Sequence, residues 1–106
     1  MKCAVTSLIL IFFASSSAQA AERSATATEI KSFAVGHDIN CGGAICHYGA
    51  DGSYSYNGAS PGRYRISSGM ICVNFNDGGQ RCDHIVVDGT SYSLINKTGQ
   101  RFDFSK

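Results

Sequence analysis

The chain has 106 residues, with nine Lys and Arg against eight Asp and Glu, five cysteines, twelve glycines and one proline. This length makes one small domain, and a near-neutral balance with no basic block gives nothing that could track a phosphate backbone, which excludes nucleic acid as a partner. A core of this size supplies only a few kcal/mol, so covalent staples are expected.

The N-terminus carries Lys2, an apolar run over Leu8–Phe13, and small residues ending in Ala18-Gln19-Ala20. This is the pattern of a secretory signal peptide over residues 1–20, cleaved after Ala20, and its apolar run is well short of the ~20 residues that span a bilayer. Cys3 leaves with the signal, and so does Lys2, which brings the mature chain to eight charges of each sign. The mature protein is expected to be periplasmic or secreted, without a membrane span, and monomeric. Residues 21–29, rich in Ala, Ser and Thr without periodicity, are expected to form a flexible lead-in, disordered or weakly helical, and residues 30–106 a single β domain.

From Cys41 onward glycine recurs every few residues. Asp51-Gly52, Ser60-Pro61-Gly62, Ser68-Gly69, Asp77-Gly78, Asp88-Gly89 and Lys97-Thr98-Gly99 are turn signals, because glycine takes the positive φ of tight turns and Asp or Ser bonds the adjacent backbone. Between them the predicted strands are Ile45–Tyr48, Ser53–Tyr56, Arg63–Ser67, Met70–Phe75, Gln80–Val87, Ser91–Ile95 and Gln100–Phe104. Tyr64 and Ile66 alternate with Arg63 and Arg65, and Phe102 and Phe104 with Arg101 and Asp103, so one face is core and one is wet. The fold class is therefore all-β: a small antiparallel up-and-down meander of about seven strands, stapled by two disulfides. A flat sheet would expose its apolar face, so the sheet must curl or be covered by the segment around Ile30–Val35. A partly closed barrel is expected.

Cys41, Cys46, Cys72 and Cys82 remain after cleavage, an even number in a chain bound for an oxidising compartment. Pairing 41 with 46 closes a short glycine-rich loop and leaves 72 with 82; the two crossed connectivities stay open. A three-residue loop Asn76–Gly78 sets Cys72 opposite Cys82, but also Val73 opposite Arg81 and Ile71 opposite Asp83. A four-residue loop would instead align Ile71, Val73 and Phe75 with Cys82, His84 and Val86 on one apolar face. A β-bulge could reconcile the two registers.

The run C-G-G-A-I-C-H resembles a c-type haem attachment site with widened spacing, His47 being the iron ligand and Met70, His37 or His84 the second. A strand-rich chain offers no helical haem pocket, so this stays a minor alternative. Zinc is disfavoured because paired thiols oxidise before meeting metal in such a compartment. No G-x-S-x-G elbow is present, adjacent Asp83 and His84 on a strand point to opposite faces, and Asp51, Asp77 and Asp88 sit in turns. The protein is thus expected to be non-enzymatic, with no cofactor and no resident metal. Asn96-Lys97-Thr98 matches a glycosylation acceptor but reads as a turn.

The segments A-D-G-S-Y-S-Y-N-G, S-P-G-R-Y-R-I-S-S-G-M-I-C-V-N-F and R-C-D-H-I-V-V-D-G resemble small secreted bacterial β-meander proteins of unknown function, a resemblance that implies fold and compartment only. S-P-G-R-Y is similar to the loop that periplasmic inhibitors of C-type lysozyme insert into their target. That resemblance implies a partner-binding loop of Ser60, Gly62, Arg63, Tyr64 and Arg65, with Arg63 or Arg65 meeting carboxylates. The expected function is a small exported binding or inhibitor-type protein whose partner is a protein or glycan of the cell envelope. The alternatives are a calycin-like carrier holding a small ligand among its aromatic residues, and a structural envelope protein. After expression of the full chain in a bacterial host, N-terminal sequencing of the secreted or periplasmic product should read Ala21-Glu22-Arg23; an intact Met1 on the recovered protein would refute cleavage.

Overall fold

The computed structural model describes residues 21–106. The expected signal peptide, residues 1–20 with Cys3, lies outside the described residues. The elements in chain order are β1 (Arg23–Ser24), α1 (Ala27–Ala34), β2 (His37–Asn40), β3 (Ile45–Tyr48), β4 (Ser53–Tyr56), β5 (Ala59–Ser67), β6 (Met70–Phe75), β7 (Gln80–Asp88), β8 (Ser91–Ile95) and β9 (Arg101–Asp103). Strands β2 to β9 pair antiparallel in sequence order, and β1 adds to β7. Ser105, just past β9, bridges to Asn40 at the end of β2 through two backbone hydrogen bonds of 2.6 and 3.0 Å, so the meander nearly closes on itself. All seven predicted strands are present within this barrel.

Within the lead-in expected over residues 21–29 lie β1 and the start of α1. Thr26 and Glu29 form a reciprocal capping box: the Glu29 N–H donates to Thr26 Oγ1 at 3.1 Å and the Thr26 N–H to Glu29 Oε1 at 2.9 Å. Arg23 clamps the same carboxylate with bonds of 2.8 and 2.7 Å. Ala25 is fully buried, donating to Ile85 O at 2.9 Å and accepting from Gly69 N at 2.7 Å. These bonds start α1, whose buried Ile30 and Ala34 face the barrel while Phe33 stacks on Tyr92 with ring centroids 4.2 Å apart. Both expected ways of hiding the apolar face operate together: the sheet closes, and α1 stoppers one end. Strand β2 was not predicted, because Ile39 is the single apolar side chain in His-Asp-Ile-Asn; it is fully buried.

The β4–β5 turn is Asn57-Gly58, both at positive φ (52° and 74°), the geometry that a two-residue hairpin requires. Ser60-Pro61-Gly62, expected as a turn, lies inside β5. The register steps from Tyr56↔Ala59 to Tyr54↔Gly62, and Ser60 adopts φ 50° as the extra residue of a bulge. Proline is tolerated at such a bulge because its missing N–H breaks no ladder bond there, while its carbonyl accepts from Asn76 N at 2.9 Å.

Tyr48, Phe104, Ile30, Ile39, Ile71, Ile85 and Leu94 fill the interior. Tyr48 sits at the centre of the aromatic packing, 5.4 Å from the Tyr54 and Tyr64 rings and 6.0 Å from Phe104. In so narrow a barrel these side chains occupy the lumen.

The disulfides are Cys41–Cys46 and Cys72–Cys82. Strands β6 and β7 adopt the register with Cys72↔Cys82, Val73↔Arg81 and Ile71↔Asp83, joined by the three-residue loop Asn76–Gly78 with Gly78 at φ 101°. No bulge intervenes between these strands. Arg81 and Asp83 therefore share the inward face with Val73 and Ile71.

The bond to Arg23, reinforced by the Thr26 backbone, holds the Glu29 carboxyl down at about 2, below its ordinary 4.5. A depressed carboxyl stabilises the fold above its unfolded pKa and loses that contribution as pH falls through the folded one. Glu29→Gln keeps an amide able to cap Thr26 but no charge. The stability gap between wild type and Glu29→Gln, measured by urea denaturation, should be full above pH 4.5 and close as pH falls towards 2; a gap that does not change with pH would contradict the ion-pair account.

Candidate binding site at the open end of the barrel

An antiparallel meander sorts residues between two ends. The stoppered end gathers α1 with the end of β5, the start of β8 and Phe104. The opposite end gathers the starts of β3, β7 and β9 and the ends of β4, β6 and β8, and thus Cys46, Arg81, Tyr56, Phe75 and Asn96. Among the described residues no helix lies over this second end, the mouth.

Arg81 and Asp83 enter the mouth from adjacent inward positions of β7. Arg81 Nε donates to Asp83 Oδ2 at 2.7 Å. Asp83 is only 3% exposed, whereas 36% of the Arg81 side chain remains accessible, so the pair runs from the barrel interior out to the rim. Asp83 Oδ1 is buried with no hydrogen-bond partner among the described residues. Burial works against the Arg81 charge, but the hydrogen bond and the attraction of Asp83 outweigh it and raise the guanidinium above its ordinary value. Nη1 and Nη2 of Arg81 make no hydrogen bond to a described residue.

The tyrosines behind this pair belong to the same electrostatic cluster. Burial drives the Tyr48 hydroxyl far above its ordinary range, with Tyr54 and Asp83 adding to the rise and Arg81 opposing it. Burial likewise raises Tyr54, whose hydroxyl lies 3.5 Å from Cys46 Sγ. Both phenols are neutral donors at any physiological pH.

The walls of the mouth are stiff. Gly42, at φ 80°, lies so close to Phe102 that a Cβ there would fall 2.5 Å from the ring, so only glycine lets this loop seat on the aromatic. The Cys41–Cys46 bond fixes the same loop. Across the opening, Asn96 Oδ1 accepts from Thr98 N, Thr98 Oγ1 and Gln100 N at 3.0, 2.8 and 2.9 Å, which ties the 96–100 turn into one unit. Between these walls lies a recess of about 180 Å³ lined by Gly42, Tyr56, Arg81, Leu94, Asn96 and Phe102. A wider cleft of about 470 Å³ continues past Arg81 and Asp83 to Lys97 and Gln100. A larger hollow of about 580 Å³ on the outer wall, between Met70, His84 and Ile95, contains no buried charge. The mouth, not that hollow, combines enclosure with aimed chemistry.

Of the residues singled out in the sequence, Ser60, Gly62, Arg63, Tyr64 and Arg65 do not form a projecting loop; they belong to β5, hydrogen-bonded to β4 and β6. Ser60, Arg63 and Arg65 are exposed, and Arg63 Nη2 donates to Asp51 O at 2.7 Å. Gly62 is buried, and Tyr64 is half-buried with its hydroxyl donating to Gly49 O at 2.6 Å. The strand thus divides these five between two faces. His47 bonds Asp38 through Nδ1 at 2.7 Å, and Ser55 lies opposite His47 on β4. Among the described residues no hydrogen bond joins that serine to the histidine, and His47 and Asp38 are 43% and 69% exposed on the outer wall, so the row lacks the enclosure that an activated nucleophile needs. His84 is exposed on the face opposite Asp83. With Cys41 and Cys46 bonded to each other, neither thiol is free for a haem vinyl group. Among the described residues no helix is long and apolar enough to cross a membrane.

Sequence reading missed Arg81, Asp83 and Asn96 as a group. The signal for the first two was the cysteine register itself, which sets both charges opposite apolar partners. No protein-family model, curated protein or solved structure matches this chain.

Removing one member of a buried ion pair strands the other, whereas replacing both with apolar groups restores packing. Arg81→Met, which strands the deeper charge, should destabilise the fold by about 2–4 kcal/mol, below the fully buried range because Arg81 is partly solvated. Asp83→Asn should destabilise it less, because Arg81 can turn to water. In urea denaturation the double variant Arg81→Met/Asp83→Leu should recover most of the loss; additive losses would show that the two charges are independent.

Proposed function

We propose that this chain is an exported, non-catalytic binding module, periplasmic or secreted, that engages a protein or glycan of the cell envelope through the mouth of its barrel. The observation that carries this reading is Arg81: Asp83 holds it by Nε alone, so the guanidinium is fixed in direction while its Nη edge is left to an external acceptor. Two disulfides in a domain this small support an oxidising destination. The aromatic and aliphatic side chains packed in the lumen favour recognition at the rim over a ligand carried inside.

A binding module of this type is rigid before it binds. Preorganisation removes the ordering entropy that a flexible loop would lose on association, so few contacts suffice. Rim residues of the 96–100 turn flank Arg81 and give the partner a second wall. A benzophenone amino acid placed at Thr98, in the disulfide-bonded protein recovered from the periplasm, should cross-link an envelope component, and Arg81→Lys, which keeps a cation beside Asp83 but loses the guanidinium fork, should weaken the adduct in the same background. A probe at Arg65, on the outer face of β5, should capture nothing. Capture from Arg65 but not from Thr98 would move the contact face to β5 and refute the mouth as the binding surface.

A further inference from the structure

We infer, on the premise that the mouth is the binding surface, that it takes a carboxylate group carried on a small ring-shaped or apolar body, with Arg81 as the direct contact and Asp83 as the positioning residue. A guanidinium has two hydrogen-bonding edges. Asp83 Oδ2 takes Nε, and the Nη donors have no described partner. Two parallel N–H donors at fixed spacing match the two oxygens of a carboxylate better than any single-point acceptor.

The surroundings favour the same chemistry. Asp83 already balances one unit of charge, and the exposed Lys97 ammonium on the adjoining cleft supplies the second cation that an incoming anion requires. Tyr56, Leu94 and Phe102 give the recess an apolar side on which a ring can lie. The recess of about 180 Å³ corresponds to roughly six waters at ~30 Å³ each, the size of one ring with its substituents. Asn96 is tied into its own turn, its carbonyl oxygen accepting three hydrogen bonds and its amide donating to Gln100 Oε1 at 3.1 Å, so it shapes the recess beside the Arg81 fork.

The placement is also hard to explain by stability. A buried ion pair contributes little more than an apolar pair of the same volume, and here Asp83 Oδ1 is left without a bond. A barrel selected only for stability would carry apolar side chains opposite Ile71 and Val73. A fixed guanidinium at the rim is what the burial of Asp83 achieves.

The test is an NMR titration of the ¹⁵N-labelled, disulfide-bonded protein recovered from the periplasm. The probes are glucuronate and benzoate, each beside its neutral counterpart, glucose or benzamide, at ionic strength held constant with sodium chloride. A carboxylate should produce saturable shifts at the amides of Gly42, Arg81 and Asn96, and the neutral counterpart should not; glucuronate against benzoate distinguishes an acidic sugar from an aryl acid as the preferred body. Arg81→Lys, which keeps the charge but loses the fork, should bind about tenfold more weakly. Asp83→Asn, which keeps the Arg81 charge but releases Nε, should lower carboxylate binding towards the level of Arg81→Lys, and in the Arg81→Lys background it should cost nothing further, a non-additivity that a merely structural role would not produce. If Arg81→Lys folds poorly, the comparison of each acid with its neutral counterpart on the wild-type protein decides alone. Equal response to acid and neutral probe, or shifts that do not saturate, would overturn the carboxylate assignment. Saturable mouth shifts with the neutral sugar alone would refute this inference and leave the mouth as the binding surface, whereas cross-links from Arg65 with a silent mouth would remove both.

Discussion

The pairing of β6 with β7 governs the rest of the molecule. In a β-ladder a slip of one residue turns every side chain to the other face, and for these two strands the alternatives differ sharply. One register would place Cys82, His84 and Val86 inward beside Ile71, Val73 and Phe75. The other, fixed by the Cys72–Cys82 bond, sends Arg81, Asp83, Ile85 and Val87 inward and Val86 out. The covalent bond between facing cysteines outweighs the more apolar arrangement, and the rest of the fold accommodates the result. Val86, turned outward, is 7% exposed because β1 lies over it, with Ser24 opposite Val86 in the ladder. The short β1 is therefore the cover required by an apolar residue on the wrong face.

The same register sets the asymmetry of the two ends. Where Ile85 and Val87 point inward, they share one apolar core with Ile30 and Ala34 of α1, which closes that end of the barrel. Where Arg81 and Asp83 point inward, an apolar lid would desolvate a guanidinium without offering it a partner, so this end is held by walls and left open. The Cys41–Cys46 loop, the close seat of Gly42 on Phe102 and the Asn96 turn supply those walls. Ser105, just past Phe104, bonds to Asn40 and joins the last strand to the first, so the wall between the two ends is continuous.

Much of the barrel was legible because strand signals were strong and local. Ile45–Tyr48, Ser53–Tyr56, Met70–Phe75 and Ser91–Ile95 carry aromatic or β-branched residues at period two between glycine turns, and the structure gives them the same limits. Three features escaped for distinct physical reasons. His37–Asn40 has one apolar side chain, and its strand character comes from pairing with β3 rather than from its own pattern. α1 is too short to show helical periodicity; its legible sign was Thr26 followed three residues later by Glu29. Around Ser60, two turn signals stand four residues apart, and Asn57-Gly58 prevails because only it accepts positive φ at both central positions without a bulky Cβ penalty. The candidate site was half legible. The facing of Arg81 with Val73 followed from the cysteines, but an inward charge pair is so unusual in a small barrel that a bulge looked the cheaper resolution.

That unusual pair has a simple electrostatic logic. A lone inward arginine would not survive burial in a domain with so little stability in reserve, and a lone inward aspartate still less. Together they are neutral, and each lowers the other's desolvation penalty through a bond of 2.7 Å. The bond uses the Nε edge, so neutrality is reached without consuming the Nη edge, and partial exposure keeps that edge in contact with water. Reversing the order along β7, with the carboxylate at the rim and the guanidinium within, would bury five donors where Tyr48 and Tyr54 offer few acceptors. The order found places the group with fewest hydrogen-bonding demands deepest and the group with most donors at the surface. A single pair of residues two apart on one strand is thereby both compatible with the core and directed at whatever approaches the mouth.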